Sequence, residues 1–381
     1  MSLPGRPKGE YRSAEHEGTP VSAAPHFSQS YAQARGKFIA AVDAAGLDVE
    51  SHSHPMIGRD GEALAMDVVL DGPKDAASLL LISSACHGVE GFCGSGVQVA
   101  LLRDAAWPSA AREAGVALLY IHALNPYGFS WWRRTTHENV DLNRNFHDFK
   151  RPLPANPGYD EIAALLVPST WPPTPEVDAA IGRYIAERGE RAFQAAISGG
   201  QYNHPEGLFY GGRNPTWSHV TLRQVLRRHA TRCRRLGWID LHTGLGDSGV
   251  GERIFACHDD AAALRRARAW WGEGVTSIYD GSSSSAPLSG LMWLAAYEEC
   301  AQAEYTGIAL EYGTVPVMAV MTALRADQWL ENHPQASDAQ RRGIKQQVRD
   351  AFYTDTETWK QRILEQGFDA ALQAVRGLAA D

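Results

Sequence analysis

Short apolar runs separated by longer mixed segments dominate the pattern of hydrophobic and polar positions along this chain. The run at 79–84 is almost entirely apolar, which is typical of a central strand buried on both faces of a sheet. Apolar runs of this length, bounded by polar turns, favour strands over helices. The predicted strands lie at 63–70, 79–84, 116–121, 238–241, 253–257 and 307–310.

Segments with helical spacing alternate with these strands. A helix is predicted at 94–102, between the strands at 79–84 and 116–121, and together they form a βαβ unit with a right-handed crossover. The alternation predicts the α/β class: a single domain with a mixed, mostly parallel central sheet flanked by helices. The other predicted helices lie at 28–45, at 177–197, at 221–235 and throughout the C-terminal part of the chain.

The chain has no evident internal linker. Residues 1–25 are polar and rich in Gly, Pro, Ser and Glu, so they are predicted to form an N-terminal tail, with a single domain at 26–381. Prolines crowd the segment 150–175, which indicates a long surface excursion, plausible as part of a rim or lid. The serine-rich segment 281–285 is predicted to be a flexible loop able to move over a site.

Composition excludes several classes of function. The chain has 381 residues with 36 Lys+Arg and 44 Asp+Glu, giving a formal net charge of −8, which argues against a nucleic-acid partner. No apolar run approaches the ~20 residues that span a bilayer, and no secretory signal is visible. Five scattered cysteines form no disulfide framework. We therefore expect no membrane partner, reduced thiols and a cytoplasmic location.

Two histidines and one carboxylate follow buried strands. His87 and Glu90 stand three residues apart just after the strand at 79–84, so a tight turn can direct both side chains to one point. His242 follows the short strand at 238–241 in the same way. Ligand sites gather at the carboxyl ends of strands in open α/β sheets. A His₂Glu set is a normal catalytic zinc site that leaves a fourth position open for water, although His242 could instead be a loop histidine bonded to the backbone.

Basic residues and one further acid accompany this set. The segments 131–134 and 140–146 contain arginines whose planar guanidinium groups suit a carboxylate or a developing oxyanion. The alternative is a solvated basic turn paired with Glu138 and Asp141. Glu311 ends the apolar strand at 307–310, where it could take a proton from water, or else cap the helix that follows.

Four motifs in this order resemble the zinc carboxypeptidase (M14) superfamily, which includes the aspartoacylase/succinylglutamate desuccinylase branch. They are HGVEG at 87–91, VDLNRNF at 140–146, DLHTG at 240–244 and LEYGT at 310–314. The longer forms RRTTHENVDLNRNF and GQYNHPEGLFYGG are closer still to the M14-like DUF2817 branch. The resemblance runs from about residue 80 to residue 315 and implies that 26–381 is a zinc-carboxypeptidase-like catalytic domain.

The resemblance implies a role for each matching position. One Zn²⁺ per chain would be held by His87, Glu90 and His242, and Glu311 would be the general base. Asn143 and Arg144 would bind the terminal carboxylate of the substrate. Arg134, with Arg133 as second choice, would stabilise the oxyanion. Other residues considered are Tyr279 as a mobile tyrosine, Asp240 as a partner of the His242 imidazole or a simple strand-end acid, and His204 as a substrate contact.

The function expected from these roles is hydrolysis of an amide bond next to a free carboxylate, as in a carboxypeptidase. The partner would be a small-molecule or peptide substrate with such a carboxylate. Two alternatives stay open: an N-acyl-amino-acid deacylase of the aspartoacylase type, and a non-catalytic carboxylate-binding protein of the same fold. The sequence leaves side-chain specificity and oligomeric state undetermined.

Overall fold

The computed structural model describes residues 22–380, and within them seven strands form one mixed sheet. The sheet order is β1-β2-β4-β3-β5-β7-β6. The four central strands pair in parallel, and the pairs at both edges are antiparallel. This confirms the predicted α/β class. The strands are β1 Glu50–Ile57, β2 Ala63–Asp71, β3 Ser78–Ser84, β4 Val116–His122, β5 Arg235–Ser248, β6 Gly251–Phe255 and β7 Glu304–Gly313.

Helices flank the sheet, and α2 and α13 pack directly against β3 and β5. Their bounds, in chain order, are α1 Tyr31–Ala44, α2 Gly91–Arg103, α3 Ala106–Glu113, α4 Pro126–Trp131, α5 Pro157–Leu166, α6 Pro175–Arg188, α7 Glu190–Ser198, α8 Trp217–His229, α9 Ala261–Trp271, α10 Ala295–Glu299, α11 Val317–Asn332, α12 Asp338–Phe352 and α13 Glu357–Ala379. No helix of the described chain is long and apolar enough to cross a bilayer.

The βαβ unit predicted from the sequence is present as β3, α2 and β4, with β3 and β4 paired in parallel. Leu80 and Leu81 of β3 are fully buried, as expected of a strand covered on both faces. The cysteines are all free and buried. Most of the predicted tail, residues 1–21, lies outside the described residues, whereas Ala23 is buried against the body of the protein. The division at residue 25 therefore stays a prediction.

Three of the elements that differ from their predictions have a clear physical reason. The helix predicted at 177–197 is two helices, α6 and α7, because Gly189 between them has φ +87°, a conformation that a continuous helix does not allow. The helix predicted at 221–235 ends at His229, since Arg235 already pairs with Ser78 of β3. Strand β1 was not predicted, because this edge strand is mostly polar and interrupted by proline.

Candidate metal centre

The loop after β3 brings His87 and Glu90 together. Gly88–Glu90 form one 3₁₀ turn, and α2 begins at Gly91, so the two side chains project from successive turns. The His87 Nδ1 atom lies 2.9 Å from Glu90 Oε1. A side chain at position 88 would collide with the backbone of Gly128, since a Cβ built there would lie 2.1 Å from its carbonyl carbon. Glycine is therefore required for this loop to lie against α4.

His242 on β5 completes the cluster. Its Nδ1 atom lies 3.0 Å from Glu90 Oε2 and 3.2 Å from His87 Nδ1. One ligand atom from each of His87, Glu90 and His242 falls within 4.8 Å of the others, and all three residues are buried. The residues that the sequence singled out as ligands thus converge at one point, although they come from two strands far apart in the chain.

The far nitrogen of each imidazole is held by a carboxylate. The Nε2 atom of His242 lies 2.6 Å from Asp240 Oδ2, and that of His87 lies 3.3 Å from Asp141 Oδ1. These contacts fix the orientation of both rings so that both Nδ1 atoms point into the cluster. Hydrogen bonding of the far nitrogen to a carboxylate is the usual arrangement for histidines that ligate metals.

The cluster fits a zinc ion. Tetrahedral Zn²⁺ with bonds of about 2.0–2.1 Å keeps its ligand atoms about 3.3 Å apart. The two imidazole Nδ1 atoms lie 3.2 Å apart, and each is 2.9–3.0 Å from one Glu90 oxygen, Oε1 for His87 and Oε2 for His242, which is close to this spacing. Two imidazole nitrogens and two carboxylate oxygens face one another, and all four atoms can act as acceptors. Because few protons lie between them to form hydrogen bonds, a cation at this point would be stabilised.

The ionisable groups of the candidate metal centre are buried, and each shifts the pKa of its neighbours. Burial alone would raise the pKa of Glu90, but the imidazoles of His87 and His242 hold that pKa below its ordinary value. Burial would lower the pKa of His242, but the Asp240 carboxylate and Glu90 together raise it well above its ordinary value. The carboxylate of Glu90 is therefore ionised and ready to bind a cation.

Glu311 stands next to the cluster on the neighbouring strand. It is the register partner of His242 in the parallel pair β5–β7, so both side chains reach the same edge of the sheet. Its Oε1 atom accepts a hydrogen bond from the backbone N–H of Leu245 at 3.1 Å. Burial, reinforced by the negative charge of Glu90, raises the pKa of Glu311 to about 8. A cation at the neighbouring ligands would lower this pKa, because it favours the ionised carboxylate.

Arg134 contacts the cluster directly. Its guanidinium donates to Asp141 Oδ2 at 2.9 Å and to Glu90 Oε1 at 3.3 Å, and a third nitrogen lies 2.8 Å from His87 Nε2. The alternative of a solvated basic turn is right about the pairing of Arg134 with Asp141 but wrong about solvation, since Asp141 is buried and the side chain of Arg134 is only 15% exposed. The structure thus brings Arg134 to the same centre as two candidate ligands.

Arg133 points elsewhere. Its Nε donates to Asp327 at 3.2 Å and its Nη2 to Asn139 at 2.9 Å, and Glu331 lies 3.4 Å away. Lys345 bonds the same Asp327 carboxylate at 2.6 Å, so Arg133 belongs to a separate buried ionic network. Adjacent residues in the sequence therefore serve different parts of the molecule.

Asn143 and Arg144 lie beside the centre and are both buried. The Asn143 Oδ1 atom accepts a hydrogen bond from the backbone N–H of Met292 at 3.0 Å. Arg144 donates twice to the carbonyl of Ser198 and once to that of Asn143. Three of about five N–H donors are then used, so about two stay available to a ligand.

A cavity of about 620 Å³ joins these groups. The candidate site residues that line it are His87, Arg134, Asn143, Arg144, His242 and Glu311, whereas Glu90 does not line it. Tyr279 does not line it; its hydroxyl donates to the carbonyl of Cys257. His204 does not line it either, and pairs with Asp160 nearer the surface at 2.8 Å. The structure therefore leaves both outside the site.

Sequence reasoning missed two contributors. The sequence indicates Asp141 only as an acid that pairs with the arginines of a solvated turn, yet it lies between Arg134 and His87. Phe209 forms part of the cavity wall, with the guanidinium carbons of Arg134 and Arg144 5.2 and 5.5 Å from its ring centre. Asp141 had a usable signal, because it stands in the VDLNRNF motif two residues before Asn143. Phe209 lies in the GQYNHPEGLFYGG motif, but nothing in that motif indicates a role for it.

The fold and site together define an α/β protein with a buried His₂Glu candidate metal centre at the carboxyl edge of its central sheet. The chain belongs to the DUF2817 family, described as a protein of unknown function, whose model matches residues 27–366. This confirms the family expected from the motifs. No curated protein matches the chain.

Several solved structures are similar to this chain. A metallo-carboxypeptidase from Burkholderia cenocepacia is 12% identical with a TM-score of 0.41, over 93% of this chain and 70% of that one. Carboxypeptidase A from Helicoverpa armigera is 13% identical with a TM-score of 0.42, over 89% and 77%. Bovine thrombin-activatable fibrinolysis inhibitor, solved with tick carboxypeptidase inhibitor, is 13% identical with a TM-score of 0.47, over 93% and 98%.

Proposed function

We propose that this protein is a zinc-dependent hydrolase that cleaves an amide bond next to a free carboxylate. The observation that carries the proposal is the convergence of His87, Glu90 and His242 within 4.8 Å, with Glu311 beside them on the next strand. These three residues would hold the metal. A zinc ion bound there would supply a Lewis acid and would lower the pKa of a bound water to about 7.

Glu311 is positioned to move the proton. Its carboxylate accepts a proton from the attacking water as the water oxygen bonds to the amide carbonyl carbon. It then delivers this proton to the amide nitrogen as the C–N bond breaks, so the products are a carboxylic acid and an amine. The hydrogen bond from the Leu245 N–H fixes one carboxylate oxygen and leaves the other for this transfer.

The arginines and Asn143 bind the negative charges. Arg134, already held against Asp141, would donate to the oxygen on which charge develops during attack. Arg144 has donors to spare, and with Asn143 it would hold the carboxylate of the substrate. Fixing the substrate at this end orients its amide carbonyl for attack.

Metal titration together with a substrate pair tests the proposal. Metal-stripped protein should bind one equivalent of zinc, and the loaded protein should cleave an N-acyl amino acid or a peptide but not the same compound capped as a C-terminal amide. His242→Ala should lose the zinc. Tight zinc binding without cleavage of either compound would favour the non-catalytic carboxylate-binding alternative. Equal cleavage of both compounds would exclude recognition of the carboxylate.

Asp240 gives a separate prediction about the metal. Asp240→Asn keeps the shape of the side chain but removes the charge that faces His242 Nε2 at 2.6 Å. We expect zinc affinity to fall about 10–100-fold, because the imidazole becomes a weaker donor of electrons and loses its fixed orientation. Competition with a chromophoric chelator measures this affinity. Asp43→Asn, at an exposed position of α1, is the matched control. An unchanged affinity in Asp240→Asn would make Asp240 a simple strand-end acid.

A further inference from the structure

Away from the metal centre, the wall of the cavity is mostly apolar. Its side chains come mainly from α6, α7 and α11 and from the loop before α10, with Ile254 of β6, Ala309 of β7 and Phe352 of α12 beside them. Among the described residues that line it, the only charged side chain outside the centre is that of Glu190, which is exposed at the start of α7. Six of the apolar wall residues are Ile185, Phe193, Ile197, Leu288, Met321 and Leu324.

The cavity is too large for a single apolar side chain. An apolar cavity of about 150 Å³ accommodates benzene. The volume of about 620 Å³ here is about four times as large, and lies in the range of roughly 300–1,000 Å³ that is typical of sites for drug-sized ligands. The occupant therefore carries much more apolar volume than the side chain of one phenylalanine.

The polar groups of the wall favour a hydrocarbon chain over a peptide. Each hydroxyl on the wall already donates to an oxygen of the protein: Ser198 to Gln194, Thr243 to Phe352, Ser284 to Glu252 and Ser285 to Ala286. A peptide entering this space would bury N–H and C=O groups with few partners, since among the described residues outside the metal centre the indole N–H of Trp293 is the buried side-chain donor of the wall that has no partner. A hydrocarbon chain has no N–H or C=O groups, so its burial leaves no hydrogen bond unmade.

The rim of the cavity extends this apolar surface to solvent. Val317 and Met318, at the start of α11, line the cavity and are 51% and 66% exposed. Large exposed apolar side chains next to a cavity provide a surface along which a long chain can continue outward. Met318 and Met321 are also flexible, so they can adapt to chains of different length.

We propose that the substrates are N-acyl amino acids whose acyl group is a long hydrocarbon chain, which this cavity binds while the carboxylate of the amino acid lies at Arg144. This proposal rests on the proposed hydrolase function. The water oxygen bonds to the acyl carbonyl carbon, the C–N bond breaks, and the nitrogen takes the proton from Glu311. The products are a fatty acid and a free amino acid.

A chain-length series on the zinc-loaded, full-length protein tests the proposal. N-acyl glycines from acetyl to dodecanoyl should show kcat/KM rising about three- to fourfold per added methylene until the cavity is filled, at least about a hundredfold in total. Calorimetry on metal-free protein should show that N-dodecanoylglycine binds with a negative heat-capacity change and that N-acetylglycine binds far more weakly.

Two double variants serve as the matched pair. Val317→Lys/Met318→Lys places charge on the rim, and we expect the ratio of kcat/KM for dodecanoyl to that for acetyl to fall about tenfold. Val250→Lys/Met56→Lys changes the same residue types at exposed positions that do not line the cavity, and should keep the wild-type ratio. Because each protein is compared with itself on acetylglycine, partial misfolding does not alter the ratio.

The possible outcomes of these experiments distinguish failure of the hydrolase proposal from failure of the long-chain proposal. Cleavage of acetylglycine with no dependence on chain length would overturn the long-chain inference and keep the hydrolase. Faster cleavage of apolar peptides than of dodecanoylglycine would assign the cavity to peptides. Binding of dodecanoylglycine without cleavage of any compound would support the apolar chain site while the hydrolase function fails. Absence of binding to metal-free protein, with a flat series, would exclude the site altogether.

Discussion

Glu311→Gln is expected to lower kcat by about 10²–10⁴-fold while zinc still binds at one equivalent per chain. The amide fills the same space and can still accept the hydrogen bond from Leu245, so the local structure should be retained. What it loses is the ability to accept and return a proton. Steady-state hydrolysis of an N-acyl amino acid, with zinc content measured on the same sample, checks both parts.

The control for this variant is Glu273→Gln, an exposed glutamate outside the cavity that should leave kcat unchanged. Retention of full activity by Glu311→Gln would mean that another group accepts the proton. Loss of zinc from Glu311→Gln would instead indicate that Glu311 supports the ligands, since it lies beside His242 across the β5–β7 pair. The joint measurement therefore distinguishes a base from a structural residue.

The convergence of the metal cluster could be expected from the sequence. His87 and His242 each follow an apolar run, and adjacent parallel strands end at the same edge of a sheet. The structure pairs β3 with β5 in parallel, which brings the two loops together. Glu90 could be expected with them, because three residues in a tight turn place it beside His87.

The cavity wall could not be expected from the sequence. Ile185 and Met321 are more than a hundred positions apart, and no local pattern indicates that α6 and α11 lie across one space. The C-terminal end of α8 could not be predicted from the sequence either. Residues of helical composition continue through Arg235, and Arg235 belongs to a strand only because it pairs with β3. In both cases the structure depends on packing between segments far apart in the chain, which overrides the local preference of the sequence for helix or strand.

The two neighbouring arginines show the same limit on a smaller scale. Residues 133 and 134 have identical side chains, so composition and motif cannot say which one faces the centre. The local backbone turns one guanidinium toward Asp141 and the other toward Asp327, which lies on α11. Because the two arginines have different partners, we expect the same substitution to affect catalysis at Arg134 and stability at Arg133.

Arg134→Lys is expected to lower kcat by about 10²–10³-fold with little change in the fraction of folded protein. An ammonium keeps the charge but cannot reach Asp141, Glu90 and the developing oxyanion together, as a planar guanidinium does. Arg133→Lys is expected to lower the free energy of unfolding by about 1–3 kcal/mol and to leave kcat per folded molecule unchanged. In that variant the hydrogen bonds to Asp327 and Asn139 cannot both form within the buried network.

Saturating kinetics and denaturant unfolding on both arginine variants measure these effects, and each variant is the control for the other. The reverse result would be a large loss of kcat in Arg133→Lys with full activity in Arg134→Lys. It would mean that Arg133, which bonds Asp327, stabilises the oxyanion. A loss of kcat in both variants at unchanged stability would mean that the two buried ionic networks act together. That result would contradict their separation, because Asp327, which also bonds Lys345, contacts the side chain of Arg133 and not that of Arg134.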